Sequence, residues 1–418
     1  MSDVHPMLAE AFDALHASGA RWCLLRGRDR LATPQGDVDL LFHPDDSLRA
    51  GAALESVGFV MLRRWAGGTQ NFFLAYHRGT DQWIYVHAVA ELGFGEMHSL
   101  VWPGGAEEVL LRATPDAGLP VPSADDAFWI TLLHALADKG RVADRHRDAL
   151  RDLAPRTTAD APAARFGGSL LPDGVGAPGA IARAASGDAD GLTALAPGVV
   201  RRWRARDPTH GFRRAAHRRS LRATKLREIV TRRGVDTAIL APDGAGKSTV
   251  IAALEEHLFF RVRTFYLGLE GGRFAGRGRS RVPLGGFVAR LAHAGRSWWA
   301  ARYHLARRRL VLYDRYPYEG RLPETTKRSF LSRLRRGLLA RCLPAPDLVV
   351  VLDAPGDVLH RRKAEHPAER LERDRQGYLA LARRYGWTVV DATRGPDEVR
   401  ADVTDAIWRT YRRRVGGR

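Results

Sequence analysis

The chain has 418 residues, too many for one comfortable hydrophobic core, so two domains are expected. Its apolar fraction of 45% is ordinary for a globular protein, and Cys23 and Cys342 stand too far apart to suggest a disulfide framework or a cysteine-rich metal site. The formal charge of +19 points toward acidic partners, no apolar run approaches the ~20 residues needed to span a bilayer, and no secretory pattern opens the chain; a cytoplasmic protein, at most peripheral to a membrane, is expected.

Residues 7–18 read as a helix, RWCLLRG at 21–27 as a strand ending in glycine, and VDLLF at 38–42 as a second strand. A helical period follows, then two aromatic strands, FFLAY and WIYVHAV. Ser123, with Asp126 three positions on, caps the helix SADDAFWITLLHALADKG, and RHRDALRDLA completes a small α+β domain over residues 1–155. Within it, Asp37 and Asp39 occupy alternate strand positions and share a face. Two carboxylates held together favour a shared cation, the arrangement that two-metal nucleotidyl transfer requires. His134 and Lys139 are further candidate ligand contacts, against the ordinary alternatives of a packed histidine and a solvated lysine.

Residues 156–234 read as a helical, basic linker region: alanine, glycine and proline first, then twelve arginines and Lys225 against Asp207 and Glu228 between Arg201 and Arg233. A solvated helical linker accounts for that charge; a patch for a polyanion or an anionic membrane surface is the alternative. A homodimer is compatible with the sequence.

From residue 235 to 418, compact apolar strands (TAIL, TFYLGL, LVLYDRY, DLVVVLDAP, TVVDAT) alternate with helical segments, which predicts a parallel sheet with helices on both faces. After the first strand come Ala241, Pro242, Asp243, Gly244, Ala245, Gly246, Lys247, Ser248 and Thr249, a phosphate-binding pattern except that alanine replaces its first glycine. Such a loop works through converging backbone N–H groups, a helix N-terminus and a lysine reaching the phosphates, with a hydroxyl for Mg²⁺. Asp314 and Arg315 end a later strand at the sheet's carboxyl edge, suited to a metal or acceptor and to a phosphate clamp. Arg361, Arg362 and Lys363 follow Asp353 as a basic segment able to close over phosphates.

Taken in order, P-D-G-x-G-K-S-T at 242–249, D-R-Y at 314–316, L-D-x-P at 352–355 with its basic segment, Tyr378 and TVVDATRGPDEV at 388–399 resemble the thymidylate kinase family of P-loop nucleotide kinases. The resemblance implies ATP and Mg²⁺ as cofactors, with residues 243–249 binding the nucleotide and Lys247 and Ser248 at the β/γ-phosphates and metal. It also implies Asp314 at the metal or acceptor, Arg315 on the acceptor phosphate, and Arg361 or Arg362 in a lid. The family's arginine–glutamate–proline–glycine–glycine stretch is missing; YLGLEGGRFAGRGRSRVP stands there, which points to a different small-molecule acceptor, a nucleoside monophosphate or a sugar- or glycan-related metabolite.

Residues 1–155 resemble the minimal nucleotidyltransferase fold through Gly27 and the Asp37/Asp39 pair. Val86 and His87 stand where a third carboxylate is expected, with Asp81 and Glu91 nearby. Three readings follow: an ATP-dependent phosphotransferase, a nucleotidyltransferase using the acidic pair, and a non-enzymatic nucleotide-responsive binding protein.

Overall fold

The computed structural model describes residues 4–62, 70–231, 234–268, 285–322 and 330–416. The chain divides into two compact units, one comprising Met1–Ala75 and Trp83–Lys225, the other Tyr76–Gln82 and Leu226–Arg418. Most of the stretch YLGLEGGRFAGRGRSRVP and the side chains at the end of the basic stretch, 224–233, lie outside the described residues.

The first unit opens with α1 (Pro6–Ala17), β1 (Trp22–Arg26), β2 (Asp37–Phe42), α2 (Ser47–Ser56), β3 (Val60–Met61), β4 (Gln70–His77) and β5 (Gln82–Val89). The sheet order is β1-β2-β5-β4-β3, with β1 antiparallel and β5 parallel to β2. Alternation along β2 sends Val38, Leu40 and Phe42 into one core with Phe12, Leu15 and Ile84. Asp37, Asp39 and Leu41 therefore belong to the other face.

β6 (Gly93–Phe94), β7 (Leu100–Val101), α3 (Gly105–Leu111), β8 (Thr114–Asp116), β9 (Leu119–Val121) and α4 (Ala124–Leu133) follow. The Ser123 hydroxyl accepts from the Asp126 N–H at 3.2 Å and caps α4. At its far end α4 runs into one π turn, His134–Asp138. Then come α5 (Asp144–Leu153), α6 (Pro162–Ser169), α7 (Gly176–Ser186), α8 (Ala189–Thr193), α9 (Ala196–Arg206) and α10 (His210–Thr231).

The alanine- and glycine-rich part of the expected linker region completes the core of this unit. Ala163, Ala164, Ala180, Ala184, Val199 and Trp203 pack with Phe128, Trp129, Leu132 and Leu133 of α4. A β-carbon at Gly167 would collide with the Trp129 indole, so the small residues are what let the helices approach. Part of the basic stretch is likewise committed: Arg202 pairs with Asp173 at 2.7 Å, and Arg214 and Arg218 both reach Glu96, at 2.9 and 2.6 Å.

The second unit contains β10 (Asp236–Leu240), α11 (Lys247–His257), β11 (Val262–Tyr266), α12 (Gly285–Ala306), β12 (Leu310–Asp314), α13 (Phe330–Leu339), β13 (Leu348–Asp353), α14 (Gly356–Arg362), α15 (Ala368–Tyr385), β14 (Thr388–Asp391) and α16 (Pro396–Gly416). Its sheet runs β11-β12-β10-β13-β14, parallel throughout. All five residues of β10 and the first five of β13 are buried, the burial that near-continuous apolar strands require. Ala301 and Leu305 of α12 and Tyr378 and Ala382 of α15 join Ala238, Leu240, Val311 and Val351 in its core. Among the described residues, no helix is long and apolar enough to cross a membrane.

Candidate functional site

Parallel register brings the carboxyl ends of the strands to one edge: Ile239 and Tyr266 both lie opposite Asp314, and Asp353 lies opposite Asp391. The loop after β10 rises there. Ala241 is fully buried, so its methyl group is taken up by the core beneath the loop. Gly244 and Gly246 adopt φ of 89° and 82°, the region that glycine enters at least cost. Gly244 has a second constraint: a β-carbon there would lie 2.6 Å from the Leu359 carbonyl oxygen of α14.

The first i→i−4 bond of α11 is Val250 N–H to Gly246 O at 3.0 Å, so the amides of Lys247, Ser248 and Thr249 precede the helix's own ladder. No side chain caps this N-terminus. Residues 242–250 line a cavity of about 450 Å³ together with Arg362, Lys363 and Arg394. Uncapped amides, a helix dipole and four basic side chains favour an anion in that space.

Lys247 Nζ stands 3.4 Å from Asp314 Oδ1. That oxygen is buried and, beyond this ion pair, accepts no hydrogen bond among the described residues. The exposed Ser248 hydroxyl lines the same cavity. Carboxylate and hydroxyl oxygens are the donors a hard cation such as Mg²⁺ prefers, so the residues present fit that ion.

Arg315 has φ of 65°, rare for a residue with a β-carbon. Its guanidinium is held at both ends, Nη2 donating to Asp243 Oδ1 at 2.5 Å and Nη1 to Glu319 Oε1 at 3.0 Å. The Tyr378 hydroxyl donates to the same Glu319 oxygen at 3.2 Å. Burial works to lower the Arg315 pKa, but Glu319 and Asp243 outweigh it and hold it above the ordinary value. Burial also raises the Glu319 pKa, against the pull of Arg315.

The basic residues after Asp353 separate by position. Arg362 donates to the Ala392 carbonyl at 2.8 Å and lines the cavity with Lys363. Arg361 is 69% exposed and pairs with Asp357 one turn away at 3.0 Å, outside the lining. Arg375 grips both oxygens of Asp353, at 2.6 and 3.1 Å. The sequence motifs passed over Glu319 and Arg394; the glutamate five residues beyond Asp314 and the arginine in ATRGP were the available signals.

A parallel sheet whose glycine-bearing loop leads into a helix beside strand-end aspartates is consistent with the P-loop kinase-like α/β fold. Comparison with known proteins gives the family. The chain is 30% identical over 205 residues to a protein of Pyrobaculum aerophilum described as a probable thymidylate kinase, a match spanning 42% of this chain and 97% of that protein. The chain belongs to the thymidylate kinase family. No family model matches it.

In the first unit, Arg26, Asp39 and His87 lie side by side on β1, β2 and β5. Arg26 Nη2 reaches Asp39 Oδ2 at 3.0 Å, and His87 Nδ1 lies 2.9 Å from Asp39 Oδ1. The other His87 nitrogen is 2.5 Å from Gln70 Oε1. Burial acts to raise the Asp39 pKa, but His87 and Arg26 more than offset it and keep it low. Asp37, Asp39 and His87 bring one ligand atom each within 4.8 Å of one another.

That donor set is mixed. An imidazole replaces the third carboxylate, and both Asp39 oxygens already have partners, which suits a hard octahedral cation poorly. Val86 is fully buried on the opposite face, and Asp81, which falls in the second unit, accepts from Tyr76 at 2.5 Å. His134 Nδ1 lies 2.5 Å from Asp138 Oδ2 across the π turn, while Lys139 is exposed.

Proposed function

We propose that the protein is an ATP- and Mg²⁺-dependent phosphotransferase acting on a small-molecule acceptor. The observation that carries this reading is the Lys247 ammonium 3.4 Å from a buried Asp314 oxygen, at the mouth of an uncapped helix whose loop glycines hold left-handed conformations. Lys247 and the amides of residues 243–249 would hold the phosphate chain of ATP, and Ser248 and Asp314 would hold the Mg²⁺. When bound, the cation neutralises charge on the phosphoryl group in transfer.

The chain's own residues position the reactants. Arg315, fixed between Asp243 and Glu319, presents its remaining N–H groups to an acceptor anion at one angle. Arg362 and Lys363 add positive charge to the cavity that the loop lines. Membership of the thymidylate kinase family supports phosphoryl transfer, while the missing family stretch favours an acceptor other than thymidylate, a nucleoside monophosphate or a sugar- or glycan-related metabolite.

Incubating the full chain with ATP, Mg²⁺ and a metabolite extract, followed by mass spectrometry, tests the proposal. Lys247→Ala is expected to remove ATP-dependent products by about 10²-fold or more with the fold kept. Undiminished turnover would refute it.

Convergence of Asp37, Asp39 and His87 favours a second reading, nucleotidyl transfer in a nucleotidyltransferase-like first unit with a divalent ion that accepts an imidazole beside carboxylates, such as Zn²⁺ or Mn²⁺. Pyrophosphate release that disappears in Asp39→Asn is its expected signature; no release with Mg²⁺, Mn²⁺ or Zn²⁺ would rule it out.

A further inference from the structure

The second unit takes in Tyr76–Gln82, the turn that joins β4 to β5. Asp81 ties this segment to two helices of the same unit. It accepts from Arg400 Nη1 of α16 at 3.2 Å, and its Oδ1 lies 3.2 Å from His257 Nε2 at the far end of α11. The Tyr76 hydroxyl donates to the same carboxylate at 2.5 Å. α11 starts at Lys247 and α16 carries Val399, so both helices also line the cavity of the phosphate loop.

A second contact of the segment leads to the cavity wall itself. Arg78 Nε donates to Asp402 Oδ1 at 2.7 Å, across 324 positions of sequence. The other Asp402 oxygen accepts from Nη2 of Arg394, which lines the cavity with Lys247 and Arg362. A carboxylate held through one oxygen can turn about its terminal bond, whereas one held through both has its plane fixed. Arg394 is therefore anchored at one end by a carboxylate that Arg78 locks. Its Nε stands 3.9 Å from Asp391, and its Nη1 has no partner among the described residues.

We propose that Tyr76–Gln82 is a positioning element of the nucleotide site, with Arg78 acting through Asp402 to hold Arg394 at the cavity. The inference rests on the phosphotransferase reading, in which that cavity takes ATP. Arg78 is a positioning residue and meets no ligand itself. Without it, Asp402 turns and sets its unshared charge on Arg394, and the nucleotide must order that arginine as it binds. Arg78, Asp402 and Arg394 are 35%, 26% and 36% exposed, so the effect of Arg78 is modest.

The test is calorimetric titration of the full chain with MgADP, in the wild type, R78A, R394A and R78A/R394A. Affinity should fall about threefold in R78A and about tenfold in R394A. The double variant should be no weaker than R394A, because Arg78 works through Arg394 alone. Losses that multiply to about thirtyfold would overturn the proposal and leave Arg78 a contact of the fold only. Wild-type affinity in R78A would overturn it as well. If R78A fails to fold, R78Q, which keeps most of the side-chain stem, replaces it in the cycle with the same expected loss. A wild type that binds no MgADP would refute the phosphotransferase reading and this inference together; binding with a multiplicative cycle would refute the role of Arg78 alone.

Discussion

Glu319 is 5% exposed, and one of its oxygens serves both the Arg315 guanidinium and the Tyr378 hydroxyl. Glu319→Ala leaves the guanidinium with Asp243 alone and the hydroxyl of Tyr378, itself 3% exposed, without this acceptor. Breaking a buried charged pair from one side costs about 3–5 kcal/mol. Glu319→Gln keeps an oxygen acceptor and nearly the same volume, so it should cost about 1–2 kcal/mol. Urea unfolding of the full chain measures both, with the transition of the second unit identified by its upward shift on adding ATP. The expected result is a gap of about 2 kcal/mol between the variants. Equal midpoints below the wild type's would mean that the glutamine oxygen replaces none of the interaction, and wild-type midpoints in both variants would mean that Asp243 alone holds Arg315.

Two further outcomes are expected. Burial first, then Asp347, pushes the Asp236 pKa up to about 7 from 3.8. A carboxyl raised in this way binds more protons folded than unfolded between those values, so its contribution to stability falls as pH rises from about 4 to 7, by up to about 4 kcal/mol; Asp236→Asn should flatten that slope in thermal melts, and an unchanged slope would refute the assignment. At the cavity, Arg362→Ala should lower kcat/KM for ATP by about 10²-fold while Arg361→Ala changes it little, since an exposed ion pair contributes little; equal losses would place Arg361 at the nucleotide as well.

Much of the second unit is legible from local chemistry. The apolar runs mark β10, β12 and β13, and the residue closing each run sets which aspartates reach the sheet edge. What closes over long sequence separations is not legible: the Asp243–Arg315 pair joins residues 72 positions apart, and Glu319 meets Tyr378 across 59. Arg361 and Arg362 look alike in sequence, but one helical step turns the first to solvent and the second to the cavity. In the first unit, Ala163, Ala164 and Gly167 read as spacer because small side chains supply little hydrophobic signal; their value is the space they leave for Trp129. His87 is legible as a departure from a carboxylate, but its Gln70 partner depends on β4, whose pairing the pattern does not specify.

The missing methyl group at Gly244 has a mechanical consequence. A β-carbon at 244 would stand 2.6 Å from the Leu359 carbonyl oxygen, so any other residue there would push the anion cradle off the helix bearing Arg362. The glycine therefore sets how closely the phosphate-binding loop and the basic arm of this unit can lie.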